Sequence, residues 1–257
     1  MNKRMVLVAL FALLLYTPCL AMAAGPKDLT ASLALLPGLT DGPDKGPFPE
    51  LVKALQEYTR GKIKIETYPY VRSLDNVIKG RADFHIPSVR NPNIPHDPSL
   101  PWRFATEKVG QAAFVIYSNT AKPVTRKMII DAVAKGGKFP YTIELVPGIE
   151  ATFACPGIPS VDLPSSLQKV DKKRLDALIW AQEEADNVLR SLKLKGIHRE
   201  LYQVYDDHPI VAKGPHGDEV DKILTSAIRE FRASGKLKQY YIKVHQPYEE
   251  WQPANMN

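Results

Sequence analysis

Ile78-Lys79-Gly80-Arg81-Ala82-Asp83-Phe84-His85-Ile86 and, further along, Lys172-Lys173-Arg174-Leu175-Asp176-Ala177-Leu178-Ile179-Trp180 are one phrase written twice. In each copy a polar helix end carrying Arg-x-Asp passes directly into an apolar strand. A second phrase precedes each copy: Leu36-Pro37-Gly38-Leu39-Thr40 before the first, Val146-Pro147-Gly148-Ile149-Glu150 before the second. The repetition predicts two βα lobes of similar build, and a chain of two such lobes works in the cleft between them.

Working outward to the N-terminus, Lys3 and Arg4 precede an apolar run from Met5 to Tyr16, and Ala21-Met22-Ala23 follows as a small-x-small cleavage signal. Residues 1–23 are expected to be a signal peptide, with an exported, soluble mature chain beginning near Ala24. The run is too short to cross a bilayer comfortably, and no later window reaches the roughly 20 apolar residues a transmembrane helix needs. Past the leader only Cys155 remains, so an intrachain disulfide is excluded and the core must hold the fold. The formal net charge of +6 loses Lys3 and Arg4 with the leader and falls to +4. The basic residues are scattered along predicted helices and form no aromatic-interleaved run of the kind that binds nucleic acid, so nucleic acid is not the expected partner. A mildly positive surface favours an anionic ligand over a cationic one.

Along the chain, strand and helix patterns alternate. Thr30–Leu36 reads as a buried strand, Pro47–Tyr58 as a helix with apolar residues at helical spacing, Lys62–Thr67 as a half-covered strand, and Arg72–Lys79 as a short helix closed by Gly80. Ala82–Ile86 is the next strand, and the proline-rich 87–101 is expected to be an extended loop. After the apolar strand Ala112–Tyr117 the pattern restarts, with helices at 125–134, 165–170 and 183–192 and strands at 141–146 and 175–180. A short strand, Ile210–Ala212, leads back to a long amphipathic helix, Asp218–Phe231, and a final segment, Leu237–Ile242. The expected architecture is α/β, two lobes each of a mostly parallel sheet flanked by helices. Lobe 1 is discontinuous (24–117 plus 208–257), lobe 2 is inserted (118–207), and two crossings between them suit hinge closure over a ligand.

Ligands of open α/β sheets sit beyond the carboxyl ends of the strands, so the residues there are the candidates. Arg72 and Arg90 stand out, because a guanidinium holds a carboxylate or phosphate through two parallel hydrogen bonds; each also reads as an ordinary surface arginine. Tyr68, Tyr70 and Trp180, with Phe153, are either aromatic cleft walls or core packing. Thr152, Ser165 and Ser166 stand where helices should begin, either as anion-holding hydroxyls or as N-caps. His85, Ser88, Gly148 and Gln182 complete the candidate binding set. Ser166-Leu167-Gln168-Lys169 matches Ser-x-x-Lys, but the partner motifs of penicillin-recognising enzymes are missing. Gly136-Gly137-Lys138 lacks phosphate-loop spacing. The six histidines are spread out and Cys155 has no cysteine partner, so no zinc site is expected.

The leader, the Arg-Ala-Asp-Phe strand entry, Arg174-Leu175-Asp176-Ala177-Leu178-Ile179 and the ending Ala233-Ser234-Gly235-Lys236-Leu237 together resemble the family 3 extracellular solute-binding proteins, the periplasmic receptors of ABC importers. The likeness runs over nearly the whole mature chain. It implies a type II periplasmic-binding fold that closes on one small solute, a monomer without cofactor or enzymatic activity, and a membrane permease as partner. Some relatives instead sense ligands for membrane receptors, and some are periplasmic dehydratases of cyclohexadienyl acids; for the latter only Glu150, Glu183 and His85 offer an acid or base near the expected cleft. Two departures bear on the ligand. Where amino-acid receptors of the family carry Thr-Pro-x-Arg, this chain reads Asn91-Pro92-Asn93-Ile94, and Trp180-Ala181-Gln182 stands where they tend to have an aspartate for the α-ammonium. The resemblance with these departures implies an organic anion, a carboxylate with an apolar body, rather than a standard α-amino acid.

Overall fold

The structure, a computed structural model, describes residues 27–255. The expected leader at 1–23 lies outside the described residues. From its start the chain lays down β1 (Leu29–Ala34), α1 (Pro47–Thr59), β2 (Ile63–Tyr68), α2 (Tyr70–Ile78), β3 (Phe84–Arg90) and the short β4 (Trp102–Phe104). Then follow β5 (Gly110–Asn119), α3 (Arg126–Lys135), β6 (Ile143–Leu145), β7 (Ile158–Pro159), α4 (Leu163–Asp171), β8 (Ala177–Ala181) and α5 (Gln182–Leu192). A long β9 (Ile197–Ala212), α6 (Pro215–Ala233) and α7 (Lys236–Tyr241) complete it.

Local chemistry explains the helices. Pro47 and Pro215 occupy first-turn positions, where their missing N–H costs nothing. Gly46 before α1 has φ +119, and a Cβ there would lie 2.4 Å from the Leu39 carbonyl oxygen, so only glycine fits. Asp162 caps α4 by accepting from the Ser165 N–H at 3.0 Å. On α6, Val220, Leu224, Ala227, Ile228 and Phe231 form the buried stripe that meets α1.

The strands order as β2-β1-β3-β9-β5-β8-β6-β7, with β4 also on β9. The flanks are parallel (β2 with β1, β1 with β3, β7 with β6, β6 with β8), while β9 and β5 are antiparallel to each other and to their neighbours. The sheet is therefore mixed. Two cores flank it: one built on Leu33, Phe48, Leu55, Phe84, Leu224 and Phe231, the other on Phe114, Ile116, Leu145, Leu167, Ile179 and Tyr205. The chain passes between them at β5 and β9, since Val109, just before β5, and Val211 belong to the first core while Ala112, Phe114 to Tyr117 and Tyr202 belong to the second. The chain end returns as well, because Tyr248 and Trp251 pack on the second core.

The repeated phrase has one structural task in both copies. Asp83 Oδ2 accepts from the Thr30 N–H at 2.6 Å and its own N–H donates to the Thr30 carbonyl at 2.8 Å. In the second copy Asp176 Oδ2 accepts from the Thr142 N–H at 2.9 Å, and the Asp176 N–H donates to the Thr142 carbonyl at 3.2 Å. Each aspartate thus registers its strand against a parallel neighbour.

Two expectations need correction. The strand predicted to end at Ile86 continues through Pro87 to Arg90, its pairing with β9 shifting register between His85 and Ser88; proline has no N–H for a ladder, and the shift absorbs it. The short return strand at Ile210 is the end of a 16-residue strand beginning at Ile197. Its polar run conceals the alternation, because Arg199 faces the interior, 1% exposed.

Candidate functional site

Between the two cores opens a cavity of about 330 Å³. Tyr70, Ser88, Arg90, Asn91 and the 94–104 segment line one side; Gly148, Ile149, Ala151 and Thr152 line the other. Both repeated Pro-Gly phrases contribute to this region, Leu36 and Val146 entering a smaller adjoining space, Gly148 the larger one and Ile149 both.

The strand-end placement of these residues follows from the elements behind them. Tyr70 opens α2 directly after β2, and its Oη shares a 3.0 Å hydrogen bond with Ser88 Oγ on β3. Burial raises the Tyr70 phenol to about 12, with the Ser88 bond opposing and the Asp207 charge adding. Its ring meets His85 edge-on at 4.9 Å. The Ser88 N–H donates to Asp207 Oδ1 on β9 at 3.2 Å, and Tyr241 Oη donates to Asp207 Oδ2 at 3.2 Å. Burial lifts Asp207 to about 6, against the pull of His245 and these two hydrogen bonds. Arg90, the exposed last residue of β3, reaches over the Phe104 ring at 6.0 Å and pairs with no carboxylate among the described residues. Gly148 has φ +86, and a Cβ there would stand 3.1 Å from Tyr70 Cδ1, so the two sides approach closely at this glycine. Asn91 Nδ2 donates to the Thr152 carbonyl at 3.0 Å, a bond across the cavity mouth.

Of the residues singled out in the sequence, Tyr70, Ser88, Arg90, Gly148 and Thr152 line this cavity. Arg72 lies exposed on α2 with its guanidinium 4.8 Å over the Tyr68 ring, and Tyr68 Oη donates to Glu66 at 3.0 Å; neither lines the space. His85 is wholly buried behind Tyr70, bonded through Nδ1 to Ser73 Oγ at 2.7 Å. Burial lowers it to about 4, against the raising effect of backbone bonds at Ser32 and Pro87, so it stays neutral and braces Tyr70. Trp180 belongs to the second core, where its Nε1 donates to Glu184 Oε2 at 3.2 Å. Gln182 turns to the chain end, accepting from the Glu249 N–H at 2.9 Å. Phe153 is core. Ser165 gives its backbone N–H to the Asp162 cap, and Ser166 Oγ is held by the Glu144 carboxylate and Ser160, so the Ser166 hydroxyl is not free for an anion. Glu150 accepts from the Gly148 N–H at 3.0 Å. Glu150, Glu183 and His85 thus go three separate ways.

Sequence reasoning passed over Glu184 and His245. Both are buried beside the smaller space that adjoins the cavity. Glu184 lies in the first turn of α5, three residues past the end of β8, and that strand-end position could have found it; His245 comes from the far end of the chain and carried no local signal. Burial raises Glu184 to about 7, with Trp180 and His245 opposing and Glu183 adding. Burial alone would lower His245, but its bond to Glu183 Oε2 at 2.8 Å and the charges of Glu183, Asp207 and Glu184 hold it above the usual histidine value. Among the described residues no three or more His, Cys, Asp or Glu side chains converge as metal ligands do.

No sequence-family model matches the chain, and no curated protein does. Solved structures do. A histidine kinase sensor domain with similarity to periplasmic binding proteins superposes with a TM-score of 0.66 at 13% identity, covering 86% of this chain and 98% of that one. The ligand-binding core of GluR0 from Nostoc punctiforme, in complex with L-glutamate, gives 0.64 at 10% identity, with 85% and 100% covered. The arginine-, lysine-, histidine-binding protein ArtJ of Geobacillus stearothermophilus gives 0.60 at 14% identity, with 84% and 94% covered. Two cores joined by antiparallel crossings, with a cavity between them, are the two-lobed fold of the periplasmic binding proteins, and that is the fold of this chain.

Proposed function

We propose that this chain is a non-enzymatic periplasmic receptor that closes its two lobes over a small organic anion and delivers it to the permease of an ABC importer. The observation that carries the reading is Arg90, an arginine without a carboxylate partner among the described residues, on the wall of a cavity lined from both sides. A guanidinium so placed offers a carboxylate two parallel hydrogen bonds. The wall around it is largely apolar, with Ile94, Trp102, Phe104 and Ile149, which suits an organic body behind the charge. Ala181, the residue on the cleft side of β8, brings no charge for an α-ammonium. The fold is shared with amino-acid-binding proteins such as ArtJ, so the ligand class rests on these side chains and not on the fold.

Calorimetry on refolded, ligand-free protein tests the reading. Small carboxylates bind the native chain, Arg90→Ala weakens them about tenfold or more through loss of a charge-assisted pair, and Arg72→Ala leaves them unchanged. Micromolar binding of a common α-amino acid with no binding of simple carboxylates would refute it. A sensing role has one specific support, the kinase sensor domain among the similar structures. Uptake of the bound solute, lost when the gene is deleted and restored by the native chain, decides for transport.

A further inference from the structure

Behind Tyr70 and Ser88 the cavity leads to a second, deeper space of about 50 Å³ between the cores. The two spaces share Tyr70, Ser88, Val89 and Ile149, so one ligand can occupy both. The deep walls are mostly hydrocarbon, from Leu36, Ala112, Phe114 and Val146 among others. Glu184 and His245 interrupt them, 7% and 6% exposed. Each is half satisfied. Glu184 Oε2 accepts from Trp180 Nε1 while no hydrogen bond from the described residues reaches Oε1. His245 Nδ1 is bonded to Glu183 while Nε2 has no partner among them.

The side-chain polar atoms sealed without a partner among the described residues are Thr40 Oγ1, His85 Nε2 and Tyr205 Oη, so Glu184 Oε1 and His245 Nε2 stay reachable from the space, and a ligand group that meets them there replaces water. The space exceeds the roughly 30 Å³ share of one water and admits little more than a small end group. A hydroxyl is the smallest group that donates to Glu184 Oε1 and accepts from a His245 Nε2–H at once.

We infer that the deep space recognises a hydroxyl on the ligand's body, with Glu184 accepting from it and His245 donating to it, so that the solute is a hydroxylated organic carboxylate. This rests on the reading of Arg90 as the anion-holding group. The Glu183 carboxylate bonded to Nδ1 favours the imidazolium, the form in which Nε2 also carries a proton.

Matched probes test it by calorimetry on the mature chain: 6-hydroxyhexanoate against hexanoate, and 3-(4-hydroxyphenyl)propionate against 3-phenylpropionate. A site built to bond a hydroxyl rejects the analogue lacking it, and at least one pair should differ about tenfold or more. Glu184→Gln and His245→Gln, checked for native melting, should collapse that difference to within about threefold while sparing the plain carboxylate. Arg90→Ala should weaken both members of a pair equally. Equal affinities within both pairs for the native chain overturn the hydroxyl assignment and leave the anion reading standing. Tighter binding of 6-aminohexanoate than of 6-hydroxyhexanoate assigns the space to a cation and also overturns it. Failure of every carboxylate to bind overturns the anion reading and this inference with it.

Discussion

Helix α5 buries two carboxylates two residues apart, and their surroundings differ in kind. Asp186 accepts from Arg199 Nε at 2.8 Å and Nη2 at 2.6 Å, from Tyr117 Oη at 2.8 Å and from Trp251 Nε1 at 3.2 Å. Arg199 spends its remaining donors on the Glu249 and Trp251 carbonyls and lies 4.3 Å over the Trp251 ring. That network fastens the end of the chain to the second core and has no acceptor left for a ligand. Glu184 has one donor and an open side. Complete satisfaction makes a buried charge structural; partial satisfaction, at equal burial, leaves it free to recognise something.

The comparison breaks most visibly at Arg199. Removing the arginine strands a buried Asp186, and Arg199→Met should cost about 3–5 kcal/mol in urea denaturation. Glu184→Gln should cost less than about 1 kcal/mol or stabilise, because it removes a burial penalty and keeps an acceptor for Trp180. Equal losses for the two variants would show that Glu184 is as structural as Asp186.

A pH series sharpens the contrast on a scale of about 3 kcal/mol. Glu184 rises on folding from the ordinary carboxyl value of 4.5 to about 7, so the folded chain binds the extra proton between those values and stability falls as pH rises through that window. Asp207, raised from 3.8 to about 6, acts in the same direction somewhat lower. His245, raised above 6.5 in the fold, loses its contribution as pH climbs through its folded value. With Glu183 and Tyr241 facing the same group, all three shifts agree in sign. Unfolding free energy should therefore decline from about pH 4.5 to above 7, and Glu184→Gln should flatten that decline without touching the acid limb, where Asp221 and Glu107, both lowered, lose their partners. An unchanged slope in the variant would mean that Glu184 titrates as it does in the open chain.

How much of this was legible follows from where each signal resides. The repeated Arg-x-Asp phrase is local, and its aspartates do pair strands in both copies. The helical stripes of α1 and α6 are local too, and their extents came within a few residues. The crossing strand β9 was hidden because an arginine faces its interior, a position that alternation reserves for apolar residues. Strand ends located Tyr70, Ser88, Arg90, Gly148 and Thr152, but not which side chains turn inward; Arg72, one helical step past Tyr70 and Val71, turns outward onto Tyr68. His245 reaches the cleft from the segment after α7, where its N–H donates to the Tyr241 carbonyl at 2.9 Å and its Nδ1 bonds Glu183, a tertiary fact that no spacing encodes.

The smallest expected effect isolates the open side of α5 from the closed one. Gly148 and its counterpart in the first phrase, Gly38, both have positive φ, +86 and +78. Alanine at either should cost about 1 kcal/mol of backbone strain. They differ in surroundings, because nothing lies within 4 Å of a Cβ at Gly38, whereas at Gly148 it would press on Tyr70 Cδ1 at 3.1 Å and Val71 Cγ2 at 3.2 Å. The extra methyl at 148 therefore acts on the approach of the two lobes. Gly148→Ala should match Gly38→Ala in urea stability, weaken carboxylate binding severalfold more, and speed hydrogen exchange at the Trp180 indole while leaving the Trp251 indole, bonded to Asp186, protected. Equal loosening of both indoles would tie the two carboxylates of α5 into one rigid unit and remove the distinction between them.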